Sequence, residues 1–154
     1  MSLSAIIKAV QDIMRQDAGV DGDAQRISQL VWMVFLKVFD AKEEEWELMD
    51  DDYTPIIPEG LRWRDWAADD EGITGDELLD FVNNKLFKEL KEMELDESSN
   101  PKAFIVKGVF EDSYNYMKSG TLMRQVINKL NEIDFTTQKD RHLFNDIYES
   151  ILRD

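Results

Sequence analysis

Crowded carboxylates are the side chains of this sequence whose type and spacing come nearest to chemistry. Residues 50–52 are three consecutive aspartates, and residues 69–72 read Asp-Asp-Glu-Gly. Calcium loops alternate their ligands as D-x-D-x-D-G and place a glutamate at position 12, a spacing that neither run has. Paired carboxylates that act as acid and base need a cleft that shifts their pKa values, and no feature here predicts one. We interpret both runs as solvated acidic loops.

The other residue types that carry chemistry are sparse. The chain has no cysteine and one histidine, His142, which excludes the usual zinc sites and any Cys–His or Ser–His dyad with an orienting group. We interpret His142 as a packing or surface residue. Glycines lie three apart at 19/22 and 72/75, but no GxGxxG motif follows a predicted strand. The sequence therefore predicts no catalytic, cofactor-binding or metal-binding residue in this chain.

The elements that position these residues are predicted to be helices. Apolar residues recur at spacings of three and four over residues 3–16, 23–48, 78–93, 119–133 and from about 138 to the C terminus. Within this segment, residues 27–39 are apolar on all sides, which is typical of a buried central helix, and the segment turns acidic at residues 43–45. Residues 103–110 form a sixth, weaker candidate, because Ile105 and Val106 favour strands. The fold class is all-α: a single domain of about six to seven helices around a buried central helix.

Local signals predict the boundaries of these helices. Pro55, Pro58 and Gly60 indicate a loop over residues 50–62, and Trp63 with Trp66 indicates a short amphipathic turn. Thr74 and Glu77 have the spacing of a capping box, and Pro101 after Asn100 is typical of a helix start. The last helix reaches Asp154 without a stop signal, so we expect that the chain is cut within a longer protein.

Charge is distributed unevenly along the 154 residues. The net charge of −15 comes entirely from residues 40–101, which hold 21 acids and 6 bases, whereas residues 1–39 and 102–154 are each neutral. The neutral ends could face a polyanion, and the acidic middle could not do so without a cost. There is no signal peptide and no apolar run long enough to span a membrane, so we expect a cytoplasmic protein without a membrane partner.

Four segments, in order, carry a resemblance to a known family. They are residues 29–40 (QLVWMVFLKVFD), 53–66 (YTPIIPEGLRWRDW), 130–135 (LNEIDF) and 144–152 (FNDIYESIL). The first is similar to an "LLFLK" central-helix signature, the second to a "PEG-x-RW" loop, the third to an "IDF" segment, and the fourth to a "YE-x-x-L" helix. Together the chain resembles the N-terminal helical domain of the modification (M) subunit of type I restriction–modification DNA methyltransferases, the HsdM family.

The resemblance implies a non-catalytic assembly and DNA-clamp domain. Members of the family transfer a methyl group from S-adenosylmethionine to adenine N6 in DNA, and two M subunits join one specificity subunit. The methyl-donor loop and the catalytic motif follow this domain in the family. Residues 1–154 are therefore expected to be the N-terminal helical domain, with the methyltransferase domain, its cofactor and its catalytic residues absent from this chain.

Candidate contacts come from the neutral C-terminal part and from the tryptophan turn. Bases there that could contact DNA phosphates are Lys102, Lys107, Arg124, Lys129, Lys139 and Arg141. The alternative is that they are ordinary solvated charges on helix faces. Trp63 and Trp66 could anchor a partner subunit, or they could belong to a loop folded onto the core.

Two other functions compete with this interpretation. The isoelectric point near 4.4 suggests an acidic helical adaptor or DNA mimic that binds a basic partner. A mimic should spread its carboxylates along one elongated face, whereas here 21 of the 33 acids crowd into residues 40–101 and many of them fall in predicted loops. A small stand-alone enzyme is disfavoured by the absence of a readable catalytic motif.

Overall fold

The computed structural model describes residues 3–20 and 22–134, and this part of the chain is helical without a strand. The helices are α1 (Leu3–Met14), α2 (Asp23–Met49), α3 (Trp63–Trp66), α4 (Gly75–Phe81), α5 (Phe87–Lys91), α6 (Pro101–Glu111) and α7 (Gly120–Leu130). A π-helical segment, Val82–Leu86, joins α4 to α5. The predicted all-α class is confirmed, and the predicted last helix from about 138 lies outside the described residues. No helix in the described ranges is long and apolar enough to cross a bilayer.

The central helix is α2, as its apolar character predicts. Trp32, Met33 and Leu36 are completely buried, and Leu30 and Val34 are 1% exposed. Val31 departs from the prediction, because it is 41% exposed. The indole ring of Trp32 meets the Phe87 ring edge-on at 4.9 Å between centroids, an arrangement that favours aromatic pairs beyond simple burial.

The shorter helices pack around α2 in pairs. Helix α7 contacts α1 and α4, α6 contacts α5, and α3 contacts α2. The crossing of α4 and α7 is very close at Gly120, where an added Cβ would lie 1.7 Å from the carbonyl oxygen of Gly75. Glycine at 120 is therefore required by backbone contact and not by a turn.

The predicted capping box at Thr74 is not formed. Thr74 is the N-cap residue of α4, but its side chain makes no capping hydrogen bond. Gly75 has φ of +60°, the left-handed region that glycine favours, so the chain enters α4 by a turn that differs from the usual capping geometry. The π-helical segment after α4 was not predicted either, because a local change of helical pitch leaves little trace in apolar spacing.

The start of α6 follows its sequence signals. The side chain of Asn100 accepts a hydrogen bond from the backbone N–H of Lys102, and Pro101 occupies the first turn. Ala103, Val106 and Phe110 bury one face of this helix. Ile105 and Val106 favour strands, but burial of this face stabilises the helix, because packing overrides local propensity.

Candidate assembly and nucleic-acid interface

The structure corrects the expectation for Arg124. Its side chain is buried, and the guanidinium donates to the carbonyl oxygens of Trp66 at 2.7 Å, Ala67 at 3.1 Å and Ile73 at 2.9 Å. Burial lowers the pKa of Arg124, an effect that the nearby charges of Asp69 and Asp70 oppose. Because its guanidinium N–H groups donate to carbonyl oxygens of residues 66–73, Arg124 holds this loop against α7 and is not placed to contact a phosphate.

Trp63 and Trp66 are buried too, 3% and 6% exposed. The indole N–H of Trp63 donates to the side-chain oxygen of Asn131 at 2.8 Å, and that of Trp66 donates to the carbonyl of Leu61 at 3.1 Å. Both polar atoms of the pair therefore have partners inside the domain, as expected of a loop folded onto the core. In this structure neither ring is presented to a partner subunit.

Three of the candidate lysines lie within the described residues, and each contacts a neighbour. The ammonium of Lys102 stands 3.6 Å from the centre of the Trp46 ring, a cation–π contact. Lys107 donates to the carbonyl of Met93 at 2.5 Å, and Lys129 pairs with Glu132 at 3.2 Å. Lys139 and Arg141, like His142, lie outside the described residues.

These lysines do not form one basic patch. Lys102 lies over Trp46 on α2, whereas the end of α7 lies beside Lys37, whose ammonium donates to the carbonyl of Ile133 at 3.0 Å. Positions 37 and 46 are nine residues apart, which at 3.6 residues per turn is about two and a half turns. Their side chains therefore point to opposite sides of α2. The lysines of α6 and Lys129 of α7 are therefore separated by the central helix.

Three buried acids, Asp17, Asp40 and Glu43, each accept several hydrogen bonds inside the described domain, and the sequence did not predict these contacts. Glu43 is 0% exposed and accepts hydrogen bonds from the Tyr53 hydroxyl at 2.7 Å and from the backbone N–H groups of Ile56 at 2.7 Å and Ile57 at 3.1 Å. Burial and the Glu43 hydrogen bond raise the pKa of Tyr53 above its usual value. The carboxylate of Glu43 thus fixes the loop after α2 to the centre of the molecule.

A second buried acid, Asp17, does the same for the loop before α7. Its carboxylate accepts from the backbone N–H groups of Gly19 at 2.8 Å, Lys118 at 3.0 Å and Ser119 at 2.9 Å. Donors from the backbone satisfy a buried carboxylate well, since each is a charge-assisted hydrogen bond. Two of its partners, Lys118 and Ser119, lie 101 and 102 residues away along the chain, so no local pattern in the sequence indicates them.

The corner that holds α3 is built on Asp40. The Asp40 carboxylate is 4% exposed and accepts from Nε of Arg64 at 2.9 Å and from the Arg64 backbone N–H at 3.1 Å. Next to it, Asp65 accepts from Arg62 at 2.9 Å and from the Gly60 N–H at 2.8 Å. The hydrogen bond from Arg62 lowers the pKa of Asp65 despite partial burial, and the backbone donors add to this.

A cleft of about 520 Å³ opens beside this corner, between α3 and the start of α4. Carboxylates dominate its polar lining, with Asp65, Asp69, Glu77 and Asp80 against Arg64 and Lys85. In the described ranges no group of three or more His, Cys, Asp or Glu side chains is arranged to hold a metal ion. A lining of this charge is unfavourable for phosphate groups.

Comparison with known proteins agrees with the sequence resemblance. Residues 3–130 match the family described as the HsdM N-terminal domain. The chain is 63% identical over 154 residues to the type I restriction enzyme EcoEI methylase subunit of Escherichia coli. That match covers 100% of this chain and 31% of the relative, so the chain spans about a third of the length of that subunit.

Solved structures show the same fold. A modification subunit from Vibrio vulnificus YJ016, described as part of a candidate type I restriction enzyme, superposes with a TM-score of 0.82 at 36% identity over 97% of this chain and 34% of that one. A chain from a structure concerned with complex assembly and conformational transition of the type I restriction–modification system superposes with a TM-score of 0.81 at 34% identity. That match covers 98% of this chain and 30% of the solved chain.

Proposed function

The chain belongs to the HsdM N-terminal domain family, the N-terminal region of type I restriction–modification methylase subunits, and from this we propose that it is a non-catalytic assembly and DNA-clamp domain. The observation that carries the proposal is the family match over residues 3–130 together with 63% identity to a methylase subunit three times as long. In this proposal residues 1–154 are one N-terminal domain, and the methyltransferase domain follows it in the parent protein.

The parent protein is proposed to be a cytoplasmic, site-specific adenine-N6 DNA methyltransferase that uses S-adenosylmethionine. The partners proposed for the domain are a specificity subunit, a second M subunit and double-stranded DNA in the assembled complex. A related structure that addresses assembly of such a system supports partner subunits in general. The acidic adaptor is not favoured, because Asp17, Asp40 and Glu43 serve the interior and not a phosphate-like outer face.

Support for a structural role comes from what the buried charges do. Asp17, Asp40, Glu43 and Arg124 each hold a loop against a helix through hydrogen bonds to backbone groups. Catalytic side chains, in contrast, need donors or acceptors directed at a site that substrate can enter. Calorimetry of residues 1–154 with S-adenosylmethionine tests this point. We expect no binding in the micromolar range, and micromolar binding would contradict the proposal.

The proposed phosphate contacts are now Lys102, Lys107, Lys129, Lys139 and Arg141, without Arg124. The test is the salt dependence of DNA affinity of the assembled methyltransferase carrying Lys102→Gln and Lys107→Gln. Each lost phosphate contact lowers the slope of log affinity against log salt by about 1. Lys88→Gln on the exposed side of α5 is the matched control and should leave the slope unchanged. Equal slopes for all variants would remove the α6 lysines from the interface.

A further inference from the structure

A groove of about 500 Å³, which we call the α2–α6 groove, opens where α2 ends and α6 begins. Its apolar lining comes from the loop after α2 and from the residues around the start of α6: Pro55, Ile56, Met93, Leu95 and Ala103. The ammonium of Lys102 on α6 lies over the Trp46 ring of α2, so the two walls are in contact beside the groove. The groove is separate from the cleft between α3 and α4, because the two share no lining residue.

Large apolar side chains are exposed on both sides of this groove. Four of the six large apolar residues that are exposed in the described ranges lie here: Leu48 (87%), Met49 (83%), Phe104 (49%) and Ile105 (58%). The first two belong to the last turn of α2, and the other two lie near the start of α6. Exposed apolar residues that are scattered singly are normal, whereas a patch of them with a polar rim marks an interaction site.

Both walls of the groove are fixed by hydrogen bonds inside the domain. On one wall the buried Glu43 carboxylate accepts from the Tyr53 hydroxyl at 2.7 Å and from the backbone N–H of Ile56 at 2.7 Å. On the other wall the backbone N–H of Asp96 donates to the Ser99 hydroxyl at 3.0 Å, and the backbone N–H of Ser99 donates to the Asp96 carbonyl at 3.0 Å. The groove therefore exists before a partner binds, which lowers the entropic cost of binding.

The rim of the groove is acidic. Asp50 and Asp52 line it on the side of α2, and Glu94, Asp96 and Glu97 are exposed on the other side. An apolar floor inside a rim of one charge is complementary to an amphipathic segment that carries the opposite charge.

This charge discriminates between the possible occupants. DNA is disfavoured, because its phosphates would face the carboxylates of the rim. A second copy of the chain is disfavoured too, since residues 40–101 hold the whole net charge of −15 and the rest of the sequence is neutral, with no excess of bases to offer. A protein segment with lysine or arginine beside an apolar stripe matches both the floor and the rim.

We propose that the α2–α6 groove, with Leu48, Met49, Phe104 and Ile105 beside it, is the docking site for a basic amphipathic helix of a partner protein. The apolar side chains of that helix fill the groove, and its basic side chains pair with the carboxylates of the rim. The inference rests on the proposed function, because it names the chemistry of a partner in the assembled complex. It makes no use of DNA, so the proposed phosphate contacts are tested separately.

The apolar part of the proposal is tested with the 154-residue protein and a synthetic peptide. The probe is a fluorescently labelled peptide of about 15 residues, with leucine at every third or fourth position and lysine between. Leu48→Ser with Met49→Ser should weaken its binding about tenfold in fluorescence anisotropy, because two apolar contacts are lost. Tyr114→Ser removes an exposed ring beyond the other end of α6 and is the control, which should leave the affinity unchanged. Equal affinities of all three proteins would overturn the proposal.

The charge of the rim is tested with the same peptide. Asp52→Asn should weaken binding severalfold at low salt and less at high salt, because salt screens exposed charges. Asp70→Asn removes an equal charge from the loop between α3 and α4, outside the groove, and is the matched control. A peptide with glutamate in place of lysine should not bind. Equal losses in the two variants would show that the peptide responds only to net charge, which would contradict docking in the groove.

The assembled methyltransferase identifies the occupant. Met49 is replaced by the photoreactive residue p-benzoylphenylalanine, and cross-linked peptides are sequenced by mass spectrometry. We expect a cross-link to another protein subunit, in a segment that combines lysine or arginine with apolar residues at helical spacing. A cross-link to DNA or to a second copy of this chain, or none in a complex that has assembled, would overturn the proposal and leave the proposed function standing. Failure to assemble at all would count against the proposed function, while the peptide measurements would still decide on the groove.

Discussion

At the scale of single residues, buried polar side chains hold the loops of this domain in place. Among the basic candidates that the structure describes, Arg124 alone is buried, with its guanidinium bound to loop carbonyls. Removing a buried guanidinium that donates to several acceptors lowers the free energy of unfolding more than removing an exposed one does, because those acceptors are left without partners. The chemistry of the side chain is identical in both roles, and its surroundings decide between them.

The first prediction concerns Arg124→Met. Losing the donors to Trp66, Ala67 and Ile73 should lower the free energy of unfolding by about 3 kcal/mol, since buried carbonyl groups are left unpaired. Urea denaturation followed by circular dichroism measures the change. Lys129→Met is the matched control on the same helix and should alter stability by less than about 1 kcal/mol, because the ion pair of Lys129 with Glu132 lies at the surface, with the two side chains 34% and 42% exposed. Equal small effects would show that the Arg124 contacts do not stabilise the fold.

The second prediction concerns Asp65 and acid. Hydrogen bonding by Arg62 lowers the pKa of Asp65 in the folded state, so the folded protein binds a proton there less readily than the unfolded chain does. The stabilisation is present above the unfolded pKa of about 3.9 and is lost as the pH falls through the lower folded value. The stability difference between the native protein and Asp65→Asn should therefore shrink as the pH falls below about 4. A difference that stays constant from pH 6 to 3 would contradict this account.

At the scale of elements, close backbone contact and loop anchoring set the arrangement of the helices. Helices α1, α2 and α7 and the helical stretch over residues 78–93 could be predicted from apolar spacing, and the start of α6 could be predicted from Asn100 and Pro101. The π-helical segment could not be predicted, because a local change of helical pitch leaves little trace in apolar spacing. The turn at Thr74 could not be predicted either, because Gly75 beside it packs against Gly120 of α7, a contact that local sequence does not show. The loop over residues 50–62 was predicted from its prolines, but its attachment to Glu43 depends on long-range donors.

The third prediction tests the crossing of α4 and α7. Gly120→Ala places a Cβ within 1.7 Å of the Gly75 carbonyl oxygen, so the helices must separate. We expect a loss of about 3 kcal/mol in the free energy of unfolding, at the upper end for an overpacked interior site. Thr121→Ala, at an exposed position of the same helix, should change stability by less than about 0.5 kcal/mol. Thermal denaturation of both variants measures the contrast, and similar melting temperatures would show that the crossing tolerates a methyl group.

At the scale of the whole molecule, the acidic residues are concentrated in one part of the chain. Residues 40–101 carry the entire net charge of −15, and Asp51 and Asp52 are exposed beyond the end of α2. Two acids of the same segment, Asp40 and Glu43, lie in the interior instead. Exposed acids lie both on helices, such as Glu44 and Glu77, and in loops, and we expect this acidic surface to repel DNA wherever the assembled complex brings DNA near it.

The fourth prediction follows from this repulsion and rests on the proposed function. Asp51→Asn with Asp52→Asn in the assembled methyltransferase should increase DNA affinity severalfold at low salt and less at high salt, because screening weakens exposed charges. Asp51→Glu with Asp52→Glu keeps the charge and is the control. Fluorescence anisotropy with a labelled duplex at two salt concentrations measures both. Unchanged affinity at low salt would mean that this loop stays distant from DNA.

The amino-acid sequence by itself determined the helical class, the central position of α2, the uneven charge and the family. Each of these depends on composition, on spacing along one helix or on the order of short motifs, all of which are local. The tertiary structure alone decided that Arg124, Trp63 and Trp66 are interior residues and that the lysines of α6 and α7 lie on opposite sides of α2. Those outcomes depend on contacts between residues far apart in the chain, such as the 58 positions between Trp66 and Arg124, and no local pattern specifies which carbonyl a side chain will meet.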